Sequence, residues 1–159
     1  MVQTPSFAVA GATGGLGPAI VKELLANNFR VTVLTRKGSS SARDFEKSKL
    51  LHFAEVDYSD VKGLTDVLKG IDIVVSTVGR PGIDSQIPLI DAAVAAGVKR
   101  FIPSEFGADS EQPKNKLLPH FAGKRHIVDH LKQTADNWAD GRPADDDLTL
   151  VVLRRRGGV

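Results

Sequence analysis

Gly11-Ala12-Thr13-Gly14-Gly15-Leu16-Gly17 joins an apolar run, Ser6 to Ala10 (SFAVA), to an amphipathic segment that begins at Leu16. A glycine cluster set between a strand and a helix is the pattern of a phosphate-binding turn, and that setting raises it above a chance run of glycines. Gly11 permits the sharp reversal, Gly14 lets the backbone approach a pyrophosphate, and Gly17 lets the helix lie close to the sheet. The phosphates would rest on the turn from Thr13 through Gly15 and Leu16, where free N–H groups and the helix dipole favour negative charge. The spacing is G-x-x-G-x-x-G rather than G-x-G-x-x-G, so the turn is one residue longer and of the short-chain type. A glycine turn that binds nothing is the competing reading, and the strand-turn-helix context weighs against it.

The nucleotide is read at the end of the second strand. An NAD protein places Asp or Glu there to hold both ribose hydroxyls. This chain has Thr35-Arg36-Lys37-Gly38-Ser39, two cations and no acid. Arg36 and Lys37 can neutralise a 2′-phosphate, and the Arg36 guanidinium can stack on adenine, so NADP(H) is the expected cofactor. A solvated basic turn is the alternative. Asp57, closing the third strand, either faces the adenine edge or caps the next helix; both roles stay open.

Working outward, short apolar runs alternate with segments of helical period, which predicts a parallel sheet covered by helices. Strands are expected at Ser6 to Ala10, Arg30 to Thr35, Leu50 to Val56, Ile71 to Thr77, Arg100 to Pro103 and Leu148 to Leu153. Helices are expected from Leu16 to Asn27 with Ile20, Leu24 and Leu25 on one face, and after a Ser59 cap with Val61, Leu64 and Leu68 inward, ending at Gly70. A third follows an Asp84 or Ser85 cap with Ile87, Ile90 and Val94 inward, closed by Gly97, and a fourth spans about His120 to Thr134. The polar stretch from Ala135 to Asp147 reads as an exposed loop, and residues 154–159 as a basic tail after a nucleotide-binding domain over 1–153.

Bulk properties bound the function. At 159 residues with 42% hydrophobic and 25% charged residues, the chain is of ordinary globular composition. A formal charge of +2 gives no basis for nucleic-acid binding. The absence of cysteine excludes disulfides, thiolate nucleophiles and Cys-ligated zinc, and suits a reducing cytoplasm. No basic leader precedes the first apolar run and no stretch of about 18 apolar residues occurs, so neither a signal peptide nor a membrane span is expected.

Tyr58-Ser59-Asp60-Val61-Lys62 matches the Tyr-x-x-x-Lys string of short-chain dehydrogenases, yet it falls at the adenine end, away from where hydride chemistry needs a proton donor. Tyr58 is the only tyrosine, so a tyrosine-dependent mechanism is not expected. Lys124 shares a helical face with Phe121, Val128 and Leu131. Desolvated there, it can act as acid or base or hydrogen-bond a ribose hydroxyl; the dull reading is a lysine snorkelling to solvent. His126 and His130 stand one turn apart, but without a third ligand they read as a polar face, and no metal is expected.

Three stretches together resemble the isoflavone-reductase-like and NmrA-like branch of the atypical short-chain dehydrogenases: Gly11 to Gly17, the pair Thr35-Arg36, and VKRFIPSEFGAD from Val98 to Asp109. The resemblance spans about 130 residues and implies a doubly wound Rossmann sheet, NADPH, and reduction of a small, often aromatic or phenylpropanoid-like substrate. It also implies that the loop around Phe106 borders the nicotinamide pocket with Thr77 and Val78, and that Lys124 is the proton-handling residue. Members of the family usually continue into a substrate lobe of similar length; here that lobe is expected to be largely missing, as in a truncated gene model or spliced isoform. Two functions share these residues: an NADPH-dependent oxidoreductase, and a non-catalytic NADP(H) sensor acting through a protein partner.

Overall fold

Strands apolar on both faces need helices on both sides, and the chain supplies them. The computed structural model describes residues 4–39, 45–108, 110 and 112–139. Five strands, β1 (Ser6–Ala10), β2 (Arg30–Arg36), β3 (Leu51–Val56), β4 (Ile73–Ser76) and β5 (Arg100–Ile102), form one all-parallel sheet in the order β3-β2-β1-β4-β5. All five residues of β1 are buried. Phe7 and Val9 face a layer containing Val21, Val31 and Val33, while Ala8 and Ala10 face one containing Leu64, Leu68, Leu89 and Ile90. Helix α1 (Gly17–Ala26) thus covers one face, and α2 (Val61–Leu68), α3 (Gln86–Ala96) and α5 (Ala122–Ala139) the other; a short α4 (Pro113–Lys116) precedes α5. This is the doubly wound α/β architecture the alternation predicts.

Local chemistry corrects several expectations. Asp60, not Ser59, caps α2 by accepting from the Gly63 amide at 3.0 Å, and Val61 is 38% exposed while Leu64 and Leu68 are buried. Ser85 stands at the N-cap of α3, one of the two positions expected, but makes no cap bond: it ends a 3-10 turn, Arg80–Ser85, and its hydroxyl donates to the Gly82 carbonyl at 2.6 Å. The inward face of α3 is broader than the expected stripe, taking in Leu89, Ile90, Ala92 and Ala93. Gly97 closes it left-handed at φ 76°, with the Val98 amide donating to the Ala93 carbonyl.

His120 lies in a 3-10 turn (Pro119–Phe121) ahead of α5, and α5 runs to Ala139, so residues 135–139, expected as the start of a loop, are helical. No Gly or Pro interrupts the chain between Gly123 and Gly141, and polarity alone does not stop a helix. The expected strand from Leu148 to Leu153, the rest of the loop and the basic tail lie outside the described residues. Among the described residues no helix is long and apolar enough to cross a membrane.

The two ends of the sheet differ. At the N-terminal ends of the strands, Asp72 binds the Ser6 amide at 2.9 Å and Lys99 at 2.9 Å, while its carbonyl accepts from the Lys99 and Arg100 amides. Burial pushes its carboxyl up, but the Ser6 amide, Lys99 and the Ser6 hydroxyl together hold it below the usual value of 3.8. At the C-terminal ends the order reverses between β1 and β4, so the following segments part and leave a crevice.

Candidate functional site

The crevice is built from the glycine turn outward. Gly11 adopts φ +73°, and a Cβ there would lie 2.7 Å from the Thr77 carbonyl carbon and the Val78 nitrogen, so both backbone conformation and close approach require glycine. Gly17 packs as tightly: a Cβ would meet the Ala12 backbone at 2.5 Å, which lets α1 start directly against the end of β1. The Gly14 amide closes the turn on the Gly11 carbonyl at 3.0 Å, while Gly15 faces open space. Leu16, the N-cap residue of α1, offers no side-chain cap, so the first-turn amides are left for an outside acceptor.

Two cavities flank this turn. The first, about 540 Å³, is lined by Gly11, Thr13 and Gly14 from the turn, by Arg36 and Ser39 beyond β2, and by Tyr58. The second, about 630 Å³, is lined by Leu16, Phe106 and Lys124, with Ile83, Ser104 and Phe121 among its other walls. Thr77, Val78 and Gly79 line both, so the two form a continuous trough across the end of β4. Each lies within the range of about 300–1,000 Å³ usual for small-molecule sites. Thr77 is fixed there: its amide donates to the Ala10 carbonyl at 2.8 Å, and its hydroxyl lies 2.9 Å from the carbonyls of Ala10 and Gly11.

The structure therefore brings Gly11, Thr13, Gly14 and Arg36 together in one cavity, Leu16, Phe106 and Lys124 in the next, with Thr77 and Val78 between them. Gly15, Gly17, Lys37 and Asp57 line neither. Asp57 does not cap α2; it accepts from the Ser59 hydroxyl at 2.6 Å and the Ser59 amide at 2.9 Å. Those two bonds, then Lys37, hold its carboxyl below the usual value. Lys124 is half-buried, and a Cβ on Gly107 would lie 4.0 Å from its Nζ, so the loop after β5 passes directly over the ammonium. Val128 and Leu131 from the same expected face are buried, joined by Ile127. His130 pairs with Asp91 of α3 at 2.7 Å, and no group of three metal-ligating side chains occurs among the described residues.

Sequence reasoning missed several of the trough's walls, among them Arg80 to Gly82, Ile83 and His120, while Ser104 falls in the Val98 to Asp109 stretch that the resemblance sets beside the pocket. Its one available signal was Gly79-Arg80-Pro81-Gly82 directly after a predicted strand, a turn composition that marks backbone exposed at the sheet end. Tyr58 lies at the Arg36 end, as its sequence position implied. Burial pushes its hydroxyl up to about 12 against the opposing pull of Arg36.

The residues present suit a 2′-phosphorylated dinucleotide. A glycine turn with amides left for an outside acceptor lines one of two adjoining cavities, and an exposed Arg36, not a carboxylate, stands beside it where the adenosine ribose would lie.

The chain is similar to known proteins. The chain is 41% identical over 127 residues to an oxidoreductase, aprR, of Aspergillus flavus, covering 78% of this chain and 42% of that protein. It is 32% identical over 145 residues to a bifunctional pinoresinol-lariciresinol reductase of Thuja plicata, covering 83% and 45%. Among solved structures, the leucoanthocyanidin reductase–NADPH complex of Vitis vinifera superposes with a TM-score of 0.71 at 33% identity, over 81% of this chain and 46% of that one. The chain spans less than half the length of these relatives. Residues 3–139 match the NmrA-like family along most of the chain, and this protein belongs to that family.

Proposed function

We propose that this chain is the cofactor-binding part of an NADPH-dependent reductase acting on a small, aromatic or phenylpropanoid-like molecule. The observation that carries the reading is one trough with Arg36 and the glycine turn at one end and Lys124 and Phe106 at the other, joined through Thr77 to Gly79. The names of the relatives, reductases and oxidoreductases, support the reaction class, and the NADPH complex of the grape enzyme supports the cofactor.

In this reading the turn from Gly11 to Gly17 holds the pyrophosphate, Arg36 holds the 2′-phosphate with Lys37 adding positive potential, and Tyr58 closes the adenine side. NADPH, when bound, supplies a hydride. Thr77, Val78 and Phe106 keep water from the second cavity, whose apolar walls suit a flat ring. Lys124 holds a proton at the mouth of that cavity for the oxygen on which negative charge develops.

The test is turnover of pinoresinol with NADPH, followed by loss of NADPH absorbance. Lys124→Ala is expected to lower turnover by about 10²–10⁴-fold while leaving NADPH affinity within a factor of about two. NADPH binding without turnover in the native chain would favour a nucleotide sensor acting through a protein partner and would contradict the reductase reading.

A further inference from the structure

Backbone pairing between β4 and β5 stops at Val75 and Ile102. Beyond that register the two strands part, and no ladder fixes how far apart Val78 and Ser104, both walls of the second cavity, are held. Two side chains in series do so. Gln86, the first residue of α3, is 1% exposed; its Oε1 accepts from the Ser104 amide at 3.0 Å and its Nε2 donates to the Ile83 carbonyl at 3.3 Å. The Ser104 hydroxyl in turn donates to the Val78 carbonyl at 2.8 Å.

We infer that Gln86 is a positioning residue: its buried carboxamide, acting through Ser104, takes over from the finished β-ladder and sets the width of the cavity that receives the nicotinamide half of the cofactor. A buried amide is unfavourable unless its donor and acceptor are both used, and here they tie Ser104 to Ile83, while the Ser104 hydroxyl carries the link on to Val78. An apolar residue would fill the same volume and release Ser104 from Ile83, leaving Val78 tied to a Ser104 no longer anchored to α3. Val78 also lines the cavity of Gly11, Gly14 and Arg36, but Ile83 and Ser104 line only the second, so the device acts chiefly on that half of the trough.

This role rests on the dinucleotide reading, and calorimetry with two ligands separates the two claims. Adenosine 2′,5′-bisphosphate occupies only the Arg36 half, whereas NADPH occupies both. Gln86→Met keeps the side-chain volume and removes both bonds. It is expected to weaken NADPH about tenfold, the effect of about one net buried hydrogen bond, and to leave the bisphosphate within about twofold. The fluorescence of bound NADPH, which reports how firmly the nicotinamide is held, should fall in parallel. Ser104→Ala, which removes only the link to Val78, should show the same asymmetry to a smaller degree and serves if Gln86→Met does not fold. Equal weakening of both ligands, or of neither, overturns the role of Gln86 while the cofactor reading stands. Failure of the native chain to bind either ligand overturns both.

Discussion

Arg36 and Tyr58 illustrate how single residues acquire meaning from place. Arg36 ends a strand, is exposed, and lines the cavity of the glycine turn; Lys37, one residue on, does not line it. β2 ends at Arg36 and the chain turns at Lys37, a difference of backbone between neighbouring cations that composition cannot reveal. Tyr58 is the only tyrosine, so its ionisation can be followed by absorbance at alkaline pH. Burial favours the neutral phenol, which predicts a midpoint about 12 in the folded chain rather than 10.0. Its contribution to stability is present below 10 and lost as pH rises toward the folded value. A midpoint near 10.0 while circular dichroism still reports native structure would refute the buried placement.

Elements were read unevenly from sequence, for identifiable reasons. Strands β1 to β5 were legible because runs such as Ser6 to Ala10 are apolar on both faces, which a parallel sheet between helix layers demands. The start of α1 was legible because glycine supplies both its entry turn and its packing at Gly17. The cap of α2 falls on Asp60 rather than Ser59, and Ser85 holds the N-cap position of α3 without a cap bond, since the Ser59 and Ser85 hydroxyls turn instead to Asp57 and the Gly82 carbonyl, a choice among local bonds that sequence does not decide. The polar end of α5 reads as a loop in sequence because no apolar period marks it. The Asp72 knot joining β1, β4 and β5 was invisible, as its partners Ser6 and Lys99 are distant in sequence. Its carboxyl is held low in the folded chain, so its stabilisation is full above pH 3.8 and is lost as pH falls below that value. Asp72→Asn should therefore lower the melting temperature at neutral pH by about 2–4 °C and flatten the acid limb of the stability profile. A melting temperature unchanged at neutral pH, with the acid limb as steep as before, would exclude the knot as a stabilising feature.

At the scale of the whole molecule, the sheet is tied at one end and open at the other. Polar side chains close the N-terminal edges of β1, β4 and β5, and the reversal of strand order opens the C-terminal edges into a trough. The half of that trough nearest the glycine turn could be read from residues 11–17 and 35–36, because backbone conformation and charge there are local. The far half could not, since Arg80, Ile83 and His120 come together there only through tertiary packing; Phe106 and Lys124 are placed there by likeness to a family. The central claim is that glycine-turn amides and Arg36 together select a 2′-phosphorylated dinucleotide. Calorimetric titration of the native chain with NADPH and with NADH should give an affinity about 10–100-fold higher for NADPH, and Arg36→Asp should abolish the difference. Equal affinities in the native chain, or a preference for NADPH that survives Arg36→Asp, would contradict it.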